Sequence, residues 1–400
     1  MSELSTTIGL ANLGNTCFLN VVLQALRLSP PLGRLFLLNT PELRKDSNKL
    51  KLLEGFQILM NDFWKPSLGP GAAPTLSANG FHTMFLRTIR ESGDDWHSHG
   101  QQSDAAETIQ YILASLHDAL YEPVTMRATG RVTTEEDAER LKAIDSWGNF
   151  FRKEYSPIVE HYHGQTQTKV TCEQCQAVST RYEPWLMLKV PLPVSDGLPH
   201  RIAPNTTLTD CLNQAFADEH LDDYRCDACH QQGKATIRNR ISKLPDILIL
   251  SFKRFTNQMH KVGGPVEWDL SAMDFRPWMA FTNGDPFHPV YTPPIYETTS
   301  LIEHQGSFRG GHYRMYAKQP SHQDTPQQVW NEYDDNSIRV LSGHPGDTTN
   351  ACDTYIACLT RLTSAPKLNA EFAQRVKALR QMNRLSVPNP PPSPTTEEAK

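Results

Sequence analysis

The chain has 400 residues, 38% hydrophobic and 9% aromatic, which suits two or three packed units or one elaborated domain and excludes wholesale disorder. Its 39 Lys and Arg against 44 Asp and Glu give a formal charge of −5, which argues against a partner held by bulk positive charge, such as a nucleic acid. The longest apolar runs, such as ILIL at 247–250, fall far short of the ~18 residues of a membrane span, and no basic-then-apolar leader opens the sequence. The expectation is a soluble, monomeric intracellular protein, cytoplasmic and/or nuclear, with no membrane partner.

Residues 1–8 read as a flexible N-terminal arm. From Gly9 to about Tyr121 the pattern is mostly helical. In CFLNVVLQALRL, Leu19, Val22, Leu23 and Leu26 recur at helical spacing until Pro30 and Pro31 stop the run. The segment PSLGPGAAPTLSANG (66–80) reads as a loop. Residues 104–120 predict an amphipathic helix with Ile109, Ile112, Leu113 and Leu116 on one face. The charged stretch 122–155 reads as a tolerated insertion, with Thr133 and Glu136 in capping-box spacing ahead of a helix. From about 158 strands take over: TKVTC, WLMLKVPL, ATIRNRI, ILILSFKRF, TSLIEH, HYRMYAK, QVWNEY and TYIACLT. A short helix is expected over 208–217, after Thr206 and Thr207. The chain closes with a helix over 370–384 and a proline-crowded tail that predicts disorder.

Eight cysteines, at 17, 172, 175, 211, 226, 229, 352 and 358, are sparse for a disulfide-built domain of this size. Cys172 with Cys175 and Cys226 with Cys229 form two CxxC knuckles. Each knuckle offers two thiolates from a tight turn, and together they fill the tetrahedron that zinc prefers. A structural Zn²⁺ on these four is therefore expected, with His230 as a rival ligand beside Cys229. Cys211 falls in the apolar pattern of a helix and reads as a packed core residue.

Cys17 opens a helix after the turn Gly14-Asn15-Thr16, where unpaired amides and the helix dipole favour the thiolate. The segment alone leaves open whether Cys17 is a nucleophile or simply packs under its helix. Among fifteen histidines, His312 follows Gly310-Gly311 and opens the strand HYRMYAK. Pairing Lys318 with Gln328 in a hairpin sets 312 opposite 334, so Asp334 is placed to orient the imidazole. A solvated acidic hairpin end is the other reading. Asn12, five residues before Cys17, is either an oxyanion donor or a turn residue.

These residues also carry a resemblance. GLANLGNTCFLNVVLQAL (9–26) resembles the cysteine box of the ubiquitin-specific proteases, a family of papain-like cysteine deubiquitinases. GSFRGGHYRMYAK (306–318) with WNEYDD (330–335) resembles their histidine box, and GQQSDAAETIQYIL (100–113) their Gln-Asp box. CEQC and CDAC match the zinc ribbon of the family's fingers, and LPDILILSFKRF (244–255) the strand entering its palm.

The resemblance implies an α+β, papain-like fold with a helical thumb (about 9–160), zinc-ribbon fingers (about 165–240) and a β-sheet palm (about 241–362), followed by a C-terminal helix and tail (363–400). It implies hydrolysis of the bond after ubiquitin's C-terminal glycine in ubiquitinated proteins or chains, with no cofactor for catalysis. By motif, Cys17 takes the nucleophile's place, His312 the base's, Asp334 the orienting acid's, Asn12 the oxyanion donor's and Asp335 that of a second acid. Gln102, Asp104 and Glu107 fall where the family grips the arginine-rich ubiquitin tail, and Gly311 and Tyr313 where it narrows the slot for Gly-Gly. Three positions depart from the pattern: Val21 for Ser, Thr108 for an aromatic and Phe252 for Leu. A catalytically silent ubiquitin-binding module and a protease for another ubiquitin-like modifier are the alternatives. A zinc-ribbon nucleic-acid protein fits the charge poorly.

Overall fold

The computed structural model describes residues 7–38, 49–65, 75–93, 101–195, 198–282, 286–287, 292–307, 310–318, 329–343, 345 and 353–385. Cys352 and the proline-rich tail lie outside the described residues, as do residues 1–6 of the expected arm. Ile8 is already anchored: it is buried, and its carbonyl accepts from the Gln24 amide at 2.8 Å.

The helical lobe begins with a short strand, β1 (Gly9–Leu10). Gly14 and Asn15, both in left-handed backbone at φ 99° and 56°, then turn the chain into α1 (Cys17–Arg27). Helical spacing predicts one apolar stripe, yet every residue of α1 is buried. Asn20, Gln24 and Arg27 are spent on internal hydrogen bonds rather than on solvent. Around this central helix lie α2 (Pro30–Phe36), α3 (Leu50–Trp64), α4 (Asn79–Glu91) and α5 (Ala105–Leu120). Strand β2 (Thr75–Leu76) pairs in parallel with β1. Helix α6 (Glu135–Phe151) lies within the stretch 122–155, and its capping box is Thr134 with Asp137, one residue later than Thr133 with Glu136. Asp137 accepts from the amides of both Thr133 and Thr134, so the better-placed carboxylate sets the start. Helix α7 (Pro157–Tyr162) closes the lobe.

A four-stranded sheet follows, in the order β4-β3-β9-β8. It is built from β3 (Gly164–Cys172), β4 (Val178–Trp185), β8 (Glu219–Arg225) and β9 (Gln232–Lys243). Between its two hairpins lie β5 (Leu188–Val190), β6 (Val194–Ser195), β7 (Leu198–Ile202) and α8 (Leu208–Ala215). Helix α8 starts on a Thr207–Asp210 capping box and buries Cys211 completely.

The central sheet comprises β10 (Ile247–Phe252), β11 (Met273–Asp274), β12 (Ile295–Ser307), β13 (Gly310–Lys318), β14 (Trp330–Asp334), β15 (Ser337–Val340) and β16 (Thr354–Arg361), with β5 at one edge. Its order is β15-β14-β13-β12-β16-β10-β5, with β11 paired to β12. Both faces are covered, which explains the unbroken ILIL run. Ile247 and Ile249 join the core shared with the helical lobe, whereas Leu248 and Leu250 join the core shared with α8. Helix α9 (Ala365–Leu385) starts five residues before the predicted 370, because Pro366 is tolerated in a first turn. Among the described residues no helix is long and apolar enough to cross a membrane.

Candidate active site

Cys17 is the first residue of α1 and is 1% exposed. Its thiol meets the amide of Tyr313 on β13, so the helical lobe and the central sheet touch at this sulfur. Burial pushes the thiol above its ordinary pKa. The Tyr313 amide pulls the other way, the Asp335 charge adds to the rise, and the Phe18 and Cys17 amides oppose it without reversing it. The expected thiolate is thus not favoured by the helix terminus alone: removal from water outweighs the amides.

His312 stands immediately before Tyr313. Its Nε2 lies 2.5 Å from Asp334 Oδ1, and the second carboxylate oxygen lies 3.1 Å from Arg314 Nε. With Nε2 on the carboxylate, Nδ1 is the ring nitrogen left for proton exchange on the opposite side. The expected register is corrected by two residues. Lys318 pairs with Trp330, not Gln328, and Met315 pairs with Tyr333. Trp330 is 1% exposed, so burial of an indole sets the pairing in place of a glutamine. An even shift preserves the face, and His312 reaches Asp334 diagonally from the overhanging end of β13.

Asp335 adopts left-handed backbone, φ 51°, which turns it away from its neighbour. Its carboxylate accepts from Asn12 Nδ2 at 2.8 Å and from Asn20 Nδ2 at 2.8 Å. The Asn12 oxygen accepts from the amides of Gly14 (3.0 Å) and Thr16 (3.2 Å). The side chain is therefore pinned at both ends beside the loop that leads to Cys17. Strand β1 holds the same corner: Leu10 N donates to the Asp335 carbonyl at 2.9 Å. A Cβ on Gly9 would meet the Asn336 carbonyl oxygen at 2.6 Å.

A cleft of about 550 Å³ runs beside these groups, lined by Gln102, Asp104, Glu107, Lys189, Phe255 and Tyr355 among others. Asp104 caps α5, its Oδ1 accepting from the amides of Ala106 (2.7 Å) and Glu107 (3.0 Å). Its Oδ2 accepts from the Tyr355 hydroxyl at 2.5 Å. Glu107 is the less committed acid, and burial followed by the Asp104 charge pushes its carboxyl up. Gln102 donates to the Gly311 carbonyl at 2.6 Å and accepts from the Gly311 amide at 2.9 Å. Tyr313 is 5% exposed, and burial pushes its phenol well up. At Gly311 a Cβ would sit 2.2 Å from the Gln305 carbonyl and 2.5 Å from His304 Nε2, so only glycine fits.

The four knuckle cysteines converge far along the chain from this cleft. Cys172 and Cys175 turn β3 into β4, and Cys226 and Cys229 turn β8 toward β9. The residue after each pair, Gln176 or His230, is left-handed at φ 60° or 58°. Each donates its amide to the first cysteine's carbonyl, at 2.9 Å and 2.8 Å. The four sulfurs lie within 4.8 Å of one another, with Cys175 and Cys226 at 3.6 Å. A tetrahedron with 2.3 Å Zn–S bonds has sulfurs about 3.8 Å apart, so the donor set is compatible with zinc. His230 is not part of the cluster.

A family model for ubiquitin carboxyl-terminal hydrolase matches residues 8–362. The chain belongs to the ubiquitin carboxyl-terminal hydrolases. Within the family it is 28% identical over 361 residues to ubiquitin carboxyl-terminal hydrolase 5 of Saccharomyces cerevisiae, covering 85% of this chain and 43% of the relative. It is 28% identical over 356 residues to the human hydrolase 2 (86% and 54%) and 26% identical over 356 residues to the human hydrolase 21 (84% and 58%). The chain spans about half the length of these curated relatives. Among solved structures it resembles a SAGA Ubp8/Sgf11/Sus1/Sgf73 DUB module bound to ubiquitin aldehyde, with TM-score 0.63 and 19% identity over 90% of this chain and 70% of that one. The same module bound to monoubiquitin gives 0.62 and 18%, with the same coverage. These likenesses establish the α+β fold of thumb, palm and fingers.

The chain's departures from the family pattern are absorbed locally. The Thr108 hydroxyl donates to the Asp104 carbonyl at 2.8 Å, Val21 is buried, and Phe252 stacks on Trp268 at 5.9 Å. Sequence reasoning missed Asn20, Tyr355 and His304. His304 is 4% exposed, and burial followed by the Lys261 charge pushes its imidazole down to about 4. The run TSLIEH does not alternate, so no local pattern marks His304, and the partners of Asn20 and Tyr355 lie hundreds of residues away.

Proposed function

We propose that this chain is a thiol-dependent deubiquitinase that hydrolyses the bond after the C-terminal glycine of ubiquitin. The observation that carries the reading is the meeting of the Cys17 thiol with the Tyr313 amide, one residue from an imidazole held on Asp334. In this reading His312 Nδ1 takes the thiol proton as Sγ attacks the glycine carbonyl carbon, and Asn12 donates to the developing oxyanion. His312 then passes the proton to the lysine amine as the C–N bond breaks. Water next attacks the thioester, giving His312 a proton that returns to the departing sulfur, and ubiquitin leaves as the free acid.

Asp334 orients His312, Asp335 steadies Asn12, and Glu107 with Asp104 offers negative charge to the arginines of the ubiquitin tail. Gly311 and Tyr313 line the narrow passage. Cys172, Cys175, Cys226 and Cys229 would hold a structural Zn²⁺ that fixes the two knuckles against each other. All seven described cysteines are unpaired, which supports a reducing location in cytoplasm or nucleus.

The test is release of a fluorophore from a ubiquitin-amide reporter, abolished by Cys17→Ala, with a ubiquitin vinyl sulfone adduct mapped to Cys17. A folded, reduced wild-type chain that bound ubiquitin without turnover would make it a binding module instead. Preference for another ubiquitin-like reporter would reassign the substrate.

A further inference from the structure

Strand β13 is covered unequally on its two sides. Strand β12 pairs with it from Gly310 to Ala317, all but the last residue of the strand. On the other side β14 begins only at Met315, opposite Tyr333. Among the described residues, no strand satisfies the outer edge of β13 between Gly310 and Arg314, the stretch that carries His312. Backbone groups on such an edge need other partners, or the strand frays. At Tyr313 the partner of the amide is the Cys17 thiol. At Gly311 both groups go to one side chain, Gln102, at 2.6 and 2.9 Å.

We propose that Gln102 is a positioning residue: its amide replaces the missing strand at Gly311 and so holds His312 in line between Asp334 and Cys17. This role rests on the deubiquitinase reading and differs from the tail contact expected of Gln102, because both of its polar atoms are already engaged. A primary amide matches the pattern by presenting a donor and an acceptor side by side, as a neighbouring strand residue does. Glutamate lacks the donor, and asparagine is one methylene short. The base beneath Gln102 is firm. Two residues later Asp104 is held by two amides and the Tyr355 hydroxyl, and the next residue, Ala105, donates its amide to the Tyr313 phenol oxygen. The pair thus ties the start of α5 to the strand end that bears the imidazole.

The experiment compares wild type with Gln102→Ala and Gln102→Glu on the full chain. Three readouts are taken: steady-state kinetics on a ubiquitin-amide reporter, ubiquitin affinity in a Cys17→Ala background, and the low-field proton resonance of the His312–Asp334 hydrogen bond. The expected result is a kcat lowered about tenfold in both variants with ubiquitin Kd changed less than about twofold, since the loss falls on the reacting geometry. The low-field resonance broadens or disappears. A rise in KM and Kd with kcat and resonance unchanged overturns the proposal and makes Gln102 a tail contact. No change in any readout overturns it as well. If the wild type turns over no reporter, the deubiquitinase reading fails, while the resonance still reports on Gln102.

Discussion

Removal of the Asp335 carboxylate separates the two acids that follow one another on the chain. Asp335→Ala leaves the His312–Asp334 contact untouched and strips the acceptor from Asn12 and Asn20, both held at 2.8 Å. Full loss of an oxyanion donor costs about 3 kcal/mol, or roughly a hundredfold in kcat. Asn12→Ala should therefore lose that much. In Asp335→Ala the Asn12 oxygen stays on the amides of Gly14 and Thr16, so only part of its orientation is lost. An expected cost of about 1–2 kcal/mol lowers kcat by roughly five- to thirtyfold. Stability falls too, by about 1 kcal/mol, because the Asn20 amide, 3% exposed, keeps only the longer bond to the Ala11 carbonyl at 3.3 Å. The assay is steady-state kinetics on a ubiquitin-amide reporter beside urea denaturation. Equal losses in Asn12→Ala and Asp334→Ala would not distinguish roles, but an Asp335→Ala enzyme within about threefold of wild type would refute the pinning argument. So would an Asn12→Ala enzyme that keeps full activity.

Gly9→Ala places a methyl against the Asn336 backbone at 2.6–2.8 Å; it should displace the Asp335 turn and lower kcat about tenfold, a change read by the same reporter. Acid should destabilise the fold. His304 is neutral when folded, down to about 4 from 6.5, so the unfolded chain binds more protons between those values, and stability is full above about pH 6.5 and lost as pH falls toward 4. Half-buried His163, pushed down to about 4 chiefly by burial, adds to the same window. The unfolding free energy from urea titration should fall by about 2 kcal/mol from pH 7.5 to 5 for His304, and His304→Gln should flatten that slope. Metal analysis should find one Zn²⁺ per chain, lost in Cys226→Ser together with ubiquitin affinity, while Cys17 still reacts with vinyl sulfone at high probe concentration; unchanged metal content would remove the site.

Local chemistry was the most readable part of the sequence. The Gly14-Asn15 turn, the apolar helix after Cys17, the two CxxC knuckles and the helix start after Thr207 follow from residue type and spacing, and they appear in the structure. Errors arose wherever the partner lies across the fold. The β13–β14 pairing moved by two because a buried tryptophan outweighs a turn preference. The thiol of Cys17 rose rather than fell because its burial depends on β13, three hundred residues away. Asp104, which the resemblance sets as a tail contact, is also a helix cap bonded to Tyr355, a partner 251 residues away. Asn20 passes unnoticed in the apolar helix, and its contacts with Asp335 and the Ala11 carbonyl explain why it is there.

The match to the family model stops at residue 362, whereas close packing continues into α9. Phe372 fills the hollow over Gly33, where a Cβ would meet its ring at 2.0 Å, and meets Trp64 edge-on at 5.0 Å. Arg375 reaches back to the Leu37 carbonyl at 3.1 Å. A recombinant fragment cut at the homology boundary would bare an indole and a groove of greasy surface, and would tend to clump. The practical unit for expression, crystallisation or engineering therefore ends no earlier than Leu379, which is still buried.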